Sequence, residues 1–182
     1  MKHSLSLLAC LLLSGCATLN EKECRNGDWY HIGLSDGQSG QTLPRMQKHR
    51  EACQKYGITP NEVQYQAGRE EGLKSYCTLS NAFRIGWGGG SYYGVCPANI
   101  DLQFTRCHAA ALEVYRVKTQ IAEVEKGIRK EEQELTHSKD PRKELLELRT
   151  LQNRLLQLRA DLQLREQEVN RLMSEAQATQ KY

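Results

Sequence analysis

The second half of this chain repeats apolar residues at alternating steps of three and four, and that period leaves few folds open. The series Cys107, Ala110, Val114, Val117, Ile121, Val124, Ile128, Glu131, Leu135 is apolar at eight of nine positions. Leu148, Leu151, Leu155, Leu158, Leu162, Arg165, Val169, Leu172 and Ala176 repeat it, again at eight of nine. A mean spacing of about 3.5 residues keeps one seam of a helix turned toward a partner helix, as in a coiled coil. The flanking positions are Glu, Lys, Arg and Gln, and glycine and proline occur in this half only at Gly127 and Pro141. Asp140 is a good N-cap, and Pro141 suits a first helical position, where a missing N–H costs nothing. The spacing predicts an antiparallel helical hairpin over residues 107–176, with arms of roughly 30 residues and about 45 Å. A parallel homodimer of longer helices is the competing arrangement.

Residues 24–106 are built differently. Leu, Ile, Val and Phe number only 13 of these 83 residues, while glycine, tyrosine and cysteine are plentiful. A unit with so small a core needs staples. Cys24, Cys53, Cys77, Cys96 and Cys107 are available to an oxidising compartment, and five is an odd count. Of the three ways to pair the first four, Cys24–Cys53 with Cys77–Cys96 is preferred because each closes a local loop. Cys107 is then left over; its place at the head of the stripe turns it toward the seam as a small buried hydrophobe. The alternative for Cys107 is a bridge between two copies. No Cys-x-x-Cys pair occurs, so neither a metal site nor a cofactor is expected.

A repeat runs through this module. Tyr30-x-x-Gly33-x-x-Asp36-Gly37 recurs as Tyr65-x-x-Gly68-x-x-Glu71-Gly72, and more weakly as Phe83-x-x-Gly86-x-x-x-Gly90. In a helix, an aromatic at i and glycines at i+3 and i+7 share one face. Mid-helix glycine costs about 1 kcal/mol against alanine, so glycines along one stripe imply close approach of two backbones, with the tyrosine ring covering the gap. Pro60 and Asn61 mark a helix start ahead of Tyr65. Gly86-Trp87-Gly88-Gly89-Gly90 reads instead as a turn.

The amino terminus carries an address. Met1-Lys2-His3 is followed by an apolar run from Leu5 to Leu13 broken only by Ser6. That is the layout of a secretory signal peptide, too short for a membrane span. Leu13-Ser14-Gly15-Cys16 resembles a bacterial lipobox, which implies removal of residues 1–15 and acylation of Cys16. Three acyl chains, as the resemblance implies, anchor firmly where one would not. Ala17 stands where an inner-membrane retention signal usually has Asp, which implies an outer-membrane protein facing the periplasm. Residues 16–23 would be a lipidated tether and 177–182 a disordered tail.

The module also resembles a family of uncharacterised Gram-negative envelope lipoproteins grouped as a domain of unknown function. The residues that carry the resemblance are Asp28-Trp29-Tyr30-x-x-Gly33-x-x-Asp36-Gly37, His49-x-x-x-Cys53, Tyr65-x-x-Gly68-Arg69-Glu70-x-Gly72-Leu73-x-x-Tyr76-Cys77 and Tyr93-Gly94-Val95-Cys96-Pro97. It spans about residues 24–104, with Phe104 as the closing aromatic, and leaves Cys107 outside. It implies an envelope lipoprotein and brings no activity with it.

Chemistry is sparse. Asp36 and Glu71 occupy equivalent repeat positions, so an acid–base pair assisted by His31 can be drawn, as general acid/base sites require. The plainer expectation is that each caps or pairs with a neighbouring cation, since no nucleophile elbow, metal motif or oxyanion device accompanies them. The glycines of 86–90 lack the Lys-Ser/Thr of a phosphate cradle. His49 is expected to pack beside the Cys53 disulfide, and His108 and His137 to be solvated. A net charge of +3 demands neither nucleic acid nor an anionic surface.

The sequence thus predicts an all-α protein, a disulfide-stapled helical module (24–106) followed by a coiled-coil hairpin (107–176). Its expected role is binding or scaffolding in the envelope, without catalysis, with a periplasmic or envelope protein as partner and a homodimer as a further option. The alternative is a regulator that docks on a periplasmic enzyme through exposed Tyr and Trp side chains.

Overall fold

A computed structural model describes residues 18–179. These form seven helices, and no strand occurs among the described residues. The segment expected to be a signal peptide, and Cys16, the expected acylation site, lie outside them.

Helix α1 (Glu21–Asn26) starts in a capping box: the Asn20 side chain accepts from Glu23 N–H, and the Glu23 carboxylate accepts from Asn20 N–H. Two orphan donors are satisfied reciprocally. Gly27 ends the helix in the left-handed region, φ 66°, where only glycine rests without strain. Asp28 then caps α2 (Trp29–Gln38), Pro44 opens α3 (Pro44–Gln54), Asn61 caps α4 (Glu62–Tyr76) and Thr78 caps α5 (Leu79–Trp87). Each start thus falls on a residue that accepts from an orphan N–H or lacks one.

Helices α2 and α4 pack backbone to backbone. A Cβ built on Gly33 or Gly37 would lie 2.0 or 2.2 Å from the carbonyl oxygens of Tyr65 and Arg69. Reciprocally, one on Gly68 or Gly72 would lie 1.9 or 2.2 Å from those of Tyr30 and Leu34. The repeated glycines are therefore the two halves of one interface. Its tyrosines are not equivalent: Tyr65 is fully buried, whereas Tyr30 stays largely at the surface.

The weak third copy corrects the turn expected at Gly86. Gly86 lies inside α5, and a Cβ there would meet the His108 carbonyl oxygen at 2.4 Å. The same device that joins α2 to α4 joins α5 to the next helix; the turn begins only at Gly88.

Helices α6 (Ala98–Leu135) and α7 (Arg142–Thr179) have 38 residues each, about 57 Å at 1.5 Å per residue. They form the predicted antiparallel hairpin within one chain. Lys118 Nζ meets Glu166 at 2.9 Å, Arg159 meets Glu125 at 3.1 Å, and Gly127 lies against Leu151. Both stripes face the seam, with Arg165 exposed as the sole departure on α7. Asp140 Oδ1 accepts from the Arg142 N–H at 3.4 Å, so the helix starts one residue later than the expected Pro141.

The composition change at residue 107 is not a structural boundary. Helix α6 runs through it, and Cys107, Ala111 and Val114 share a core with Tyr76, Phe83 and Phe104. Val169 and Leu172 near the end of α7 close the same core. The helix continues to Thr179, so residues 177–179 are not a disordered tail; the last three lie outside the description. A second core gathers Leu19, Cys24, Trp29, Met46, Cys53 and Tyr65. Its inclusion of Leu19 shows that the segment read as a tether is already folded from residue 18 or 19 onward.

Candidate functional site

Cys24–Cys53 and Cys77–Cys96 are bonded as preferred, and Cys107 is a buried free thiol. The first bond ties α1 to the end of α3 and fixes α3 across the α2–α4 pair. That placement brings His49, one turn before Cys53, over the Asp36 face of α2.

The result is a buried chain of polar groups. Tyr65 donates its hydroxyl to Asp36 Oδ2 at 2.7 Å, and His49 Nε2 lies 2.8 Å from the same oxygen. A carboxylate only accepts, so Nε2 carries the hydrogen, and in the neutral ring Nδ1 accepts from the Thr18 hydroxyl at 2.7 Å. Arg45 Nε stands 3.8 Å from the other Asp36 oxygen, its long-range charge partner. Burial alone pulls the Asp36 carboxyl upward, but the hydrogen bonds from His49 and Tyr65, with the electrostatic pull of His49 and Arg45, outweigh it and hold it below the usual range. Tyr65 is pushed well above the ordinary phenol value, first by burial and then by its bond to the carboxylate.

Asp36 and Glu71 do not face one another. Although their helices touch, Glu71 points to solvent and pairs with Lys74 at 2.5 Å. His31 is also exposed; its ring bonds Asp28 at 2.8 Å, which holds that exposed carboxyl low. The drawn trio of Asp36, Glu71 and His31 is therefore not assembled. His49 does not merely pad a disulfide, as expected; it links three elements by hydrogen bonds. Nor is His108 solvated: it is buried, with Nε2 2.8 Å from the Gly90 carbonyl.

Thr18, His49 and Asp36 form a hydroxyl–imidazole–carboxylate line, and all three reach a shallow cleft of about 430 Å³ that His31 and Arg45 also line. Chemically, such a line can draw on the Thr18 proton. Its evident work is cohesion, since Thr18 precedes the first helix and is joined to α3 and, through His49, to α2 and α4. Nothing in the sequence marked Thr18; Asp36 and His49 were legible as candidates, but with other partners.

A second polar contact holds the α5–α6 loop. Tyr92 donates to Asp101 and accepts from Cys96 N–H at 3.0 Å; burial, then the Asp101 bond, pushes its phenol up to about 12. Arg69, buried along its stem, donates to the Gln41 carbonyl at 2.8 Å and secures the α2–α3 loop. Among the described residues no group of three or more His, Cys, Asp and Glu side chains could hold a metal ion, and no helix is long and apolar enough to cross a membrane.

Residues 28–113 match a family model described as a protein of unknown function (DUF2799). The match begins at the α2 cap and ends inside α6. It takes in the glycine interface, Asp36, His49 and Tyr65, and also Cys107, which the resemblance had left outside. No curated protein and no solved structure matches the chain.

Proposed function

We propose that this chain is an envelope lipoprotein, acylated at Cys16 and held on the periplasmic side of the outer membrane, that binds or scaffolds other envelope proteins. The observation that carries the reading is the anchoring of the module's first described residue. Thr18 is bonded to buried His49, and Leu19 is packed in the core. Two residues of extended chain reach about 7 Å, so an acyl group on Cys16 would be held against the module rather than on a loose tether. Two disulfides suit an oxidising compartment, and the hairpin supplies a long surface of two 38-residue helices.

The regulator reading rests on a different surface. Trp87 is 44% and Tyr93 68% exposed at the end of the module, and such side chains are favoured anchors at interfaces. The test of both begins with intact mass and fractionation. Wild-type protein should start at an acylated Cys16 and sediment with outer membranes, and Cys16→Ser should be unprocessed or released. An unmodified mature chain refutes the anchor. Crosslinking from Trp87 or Tyr93, compared with crosslinking from the hairpin, then shows which surface carries the partner.

A further inference from the structure

Helix α7 carries two apolar faces, and the hairpin uses only one. Its seam residues turn inward to α6. Leu145, Leu146, Leu156 and Leu164 do not; they are 50%, 69%, 65% and 64% exposed. At roughly 100° per residue these four fall within about 100° of one another, nearly opposite the seam. Ala160 sits between Leu156 and Leu164 on the same line, one turn from each. Single exposed leucines need no explanation, but four on one helix face do. Over the hairpin stretch 117–135, α6 presents no large exposed apolar side chain among the described residues, so the feature belongs to α7 and not to hairpins of this composition in general.

Charge along α7 indicates what covers this face. Residues 142–160 hold five Lys/Arg and two Asp/Glu, whereas residues 161–179 hold two Lys/Arg and four Asp/Glu. The helix is thus basic in its first half and acidic in its second. A second α7 laid antiparallel brings basic half against acidic half. Laid parallel, it sets like charge on like.

We propose that the outer leucine face of α7 is a self-association surface, on which a second copy of this chain docks with its α7 antiparallel and gives a flat layer ordered α6–α7–α7–α6. With the two-fold axis near residue 155, Leu146 meets Leu164 of the second copy, and Arg149 meets Asp161 of the second copy. Asp161 and Glu168 are already paired with Arg165 and Arg171 on their own helix, but those contacts are exposed and weak, so their carboxylates remain able to share a second cation. Asn153 lies close to the axis, where a polar residue in an apolar line favours one register. This association does not depend on acylation, and it leaves the intramolecular seam intact.

The test uses two differently tagged full-length chains made in the same cells, one carrying Leu146→Cys and the other Leu164→Cys, oxidised in place and separated on non-reducing gels. The antiparallel docking gives the mixed species in at least tenfold excess over either self-linked species. Self-linked species predominating, comparable amounts of both, or no linked species each overturn it. Leu156→Glu, placed in both chains at an exposed position, should lower the mixed yield at least tenfold while Cys24–Cys53 and Cys77–Cys96 still form. An unchanged yield in that variant also overturns the proposal.

Discussion

Gly68→Ala tests the central packing claim, because the structure states what the added methyl would strike. Its Cβ would lie 1.9 Å from the Tyr30 carbonyl oxygen, 2.8 Å from the Tyr30 carbonyl carbon and 3.0 Å from Leu34 N. All three are backbone atoms, so no rotamer change relieves the clash. Restoring an ordinary contact requires α2 and α4 to part by about 1.5 Å at that point, and a gap of 0.5–1 Å already forfeits a quarter to a half of a dispersion well. Overpacking typically costs about 1–3 kcal/mol. A backbone obstruction that also disturbs the Tyr65–Asp36 bond lies beyond that range, at about 4 kcal/mol. Helix propensity offsets about 1 kcal/mol of it, which leaves a net loss of about 3 kcal/mol and a melting temperature lower by roughly 6–12 °C. Gly127→Ala is the matched control, since its Cβ would stand at an ordinary 3.4 Å from Leu151 Cδ1 in the middle of α6. It should stabilise by about 0.5–1 kcal/mol. Denaturant unfolding followed by circular dichroism reads both, with disulfides intact. If Gly68→Ala falls within 1 kcal/mol of wild type, the close-packed glycine interface is wrong.

Three further outcomes follow from the site. Asp36→Asn should cost about 2 kcal/mol at neutral pH, because hydrogen bonds to a buried charged group contribute about 1.5–3 kcal/mol. Since the folded-state carboxyl is held below its ordinary value of 3.8, its contribution is present above that pH and is lost as the pH falls through the lower folded value. Acid unfolding curves of wild type and Asp36→Asn should therefore converge below pH 3.8; curves that stay parallel refute the assignment. Replacing Cys77 and Cys96 together by Ala should cost about 3 kcal/mol on the chain-entropy account for a closed loop of this size, measured in oxidising buffer. Cys107 is buried, and burial pushes its thiol up, so maleimide should label it only on unfolding, and no dimer that a thiol reductant dissolves should depend on it. Rapid labelling of native protein contradicts that placement.

Much of this architecture is local enough to be read along the chain. The hairpin is legible because burial of one helix face imposes a period of three and four on the residues that meet it, whatever the partner. Pairing of Cys24 with Cys53 and Cys77 with Cys96 follows the same locality, since each bond joins cysteines that are consecutive in the chain. The glycine repeat also declares its purpose, because only backbone contact explains glycines held along one helical stripe.

Buried polar contacts do not declare themselves in this way. Asp36 meets His49 across 13 residues, Tyr65 across 29, and Thr18 meets His49 across 31. Which donor reaches which carboxylate depends on how α3 lies over the α2–α4 pair, and no periodicity encodes that angle. Repeat symmetry made Asp36 and Glu71 look equivalent, yet α3 covers only one side of the pair, so one carboxylate is buried and bonded while the other stands in water beside Lys74. The segment before α1 reads as a tether because it is short and lies between the expected anchor and Cys24; Leu19 and Thr18 become part of the fold only once a core and an acceptor from distant helices stand next to them. Periodicity states which face of an element is covered. Only the assembled structure decides what covers it, because that depends on contacts between segments far apart in the chain.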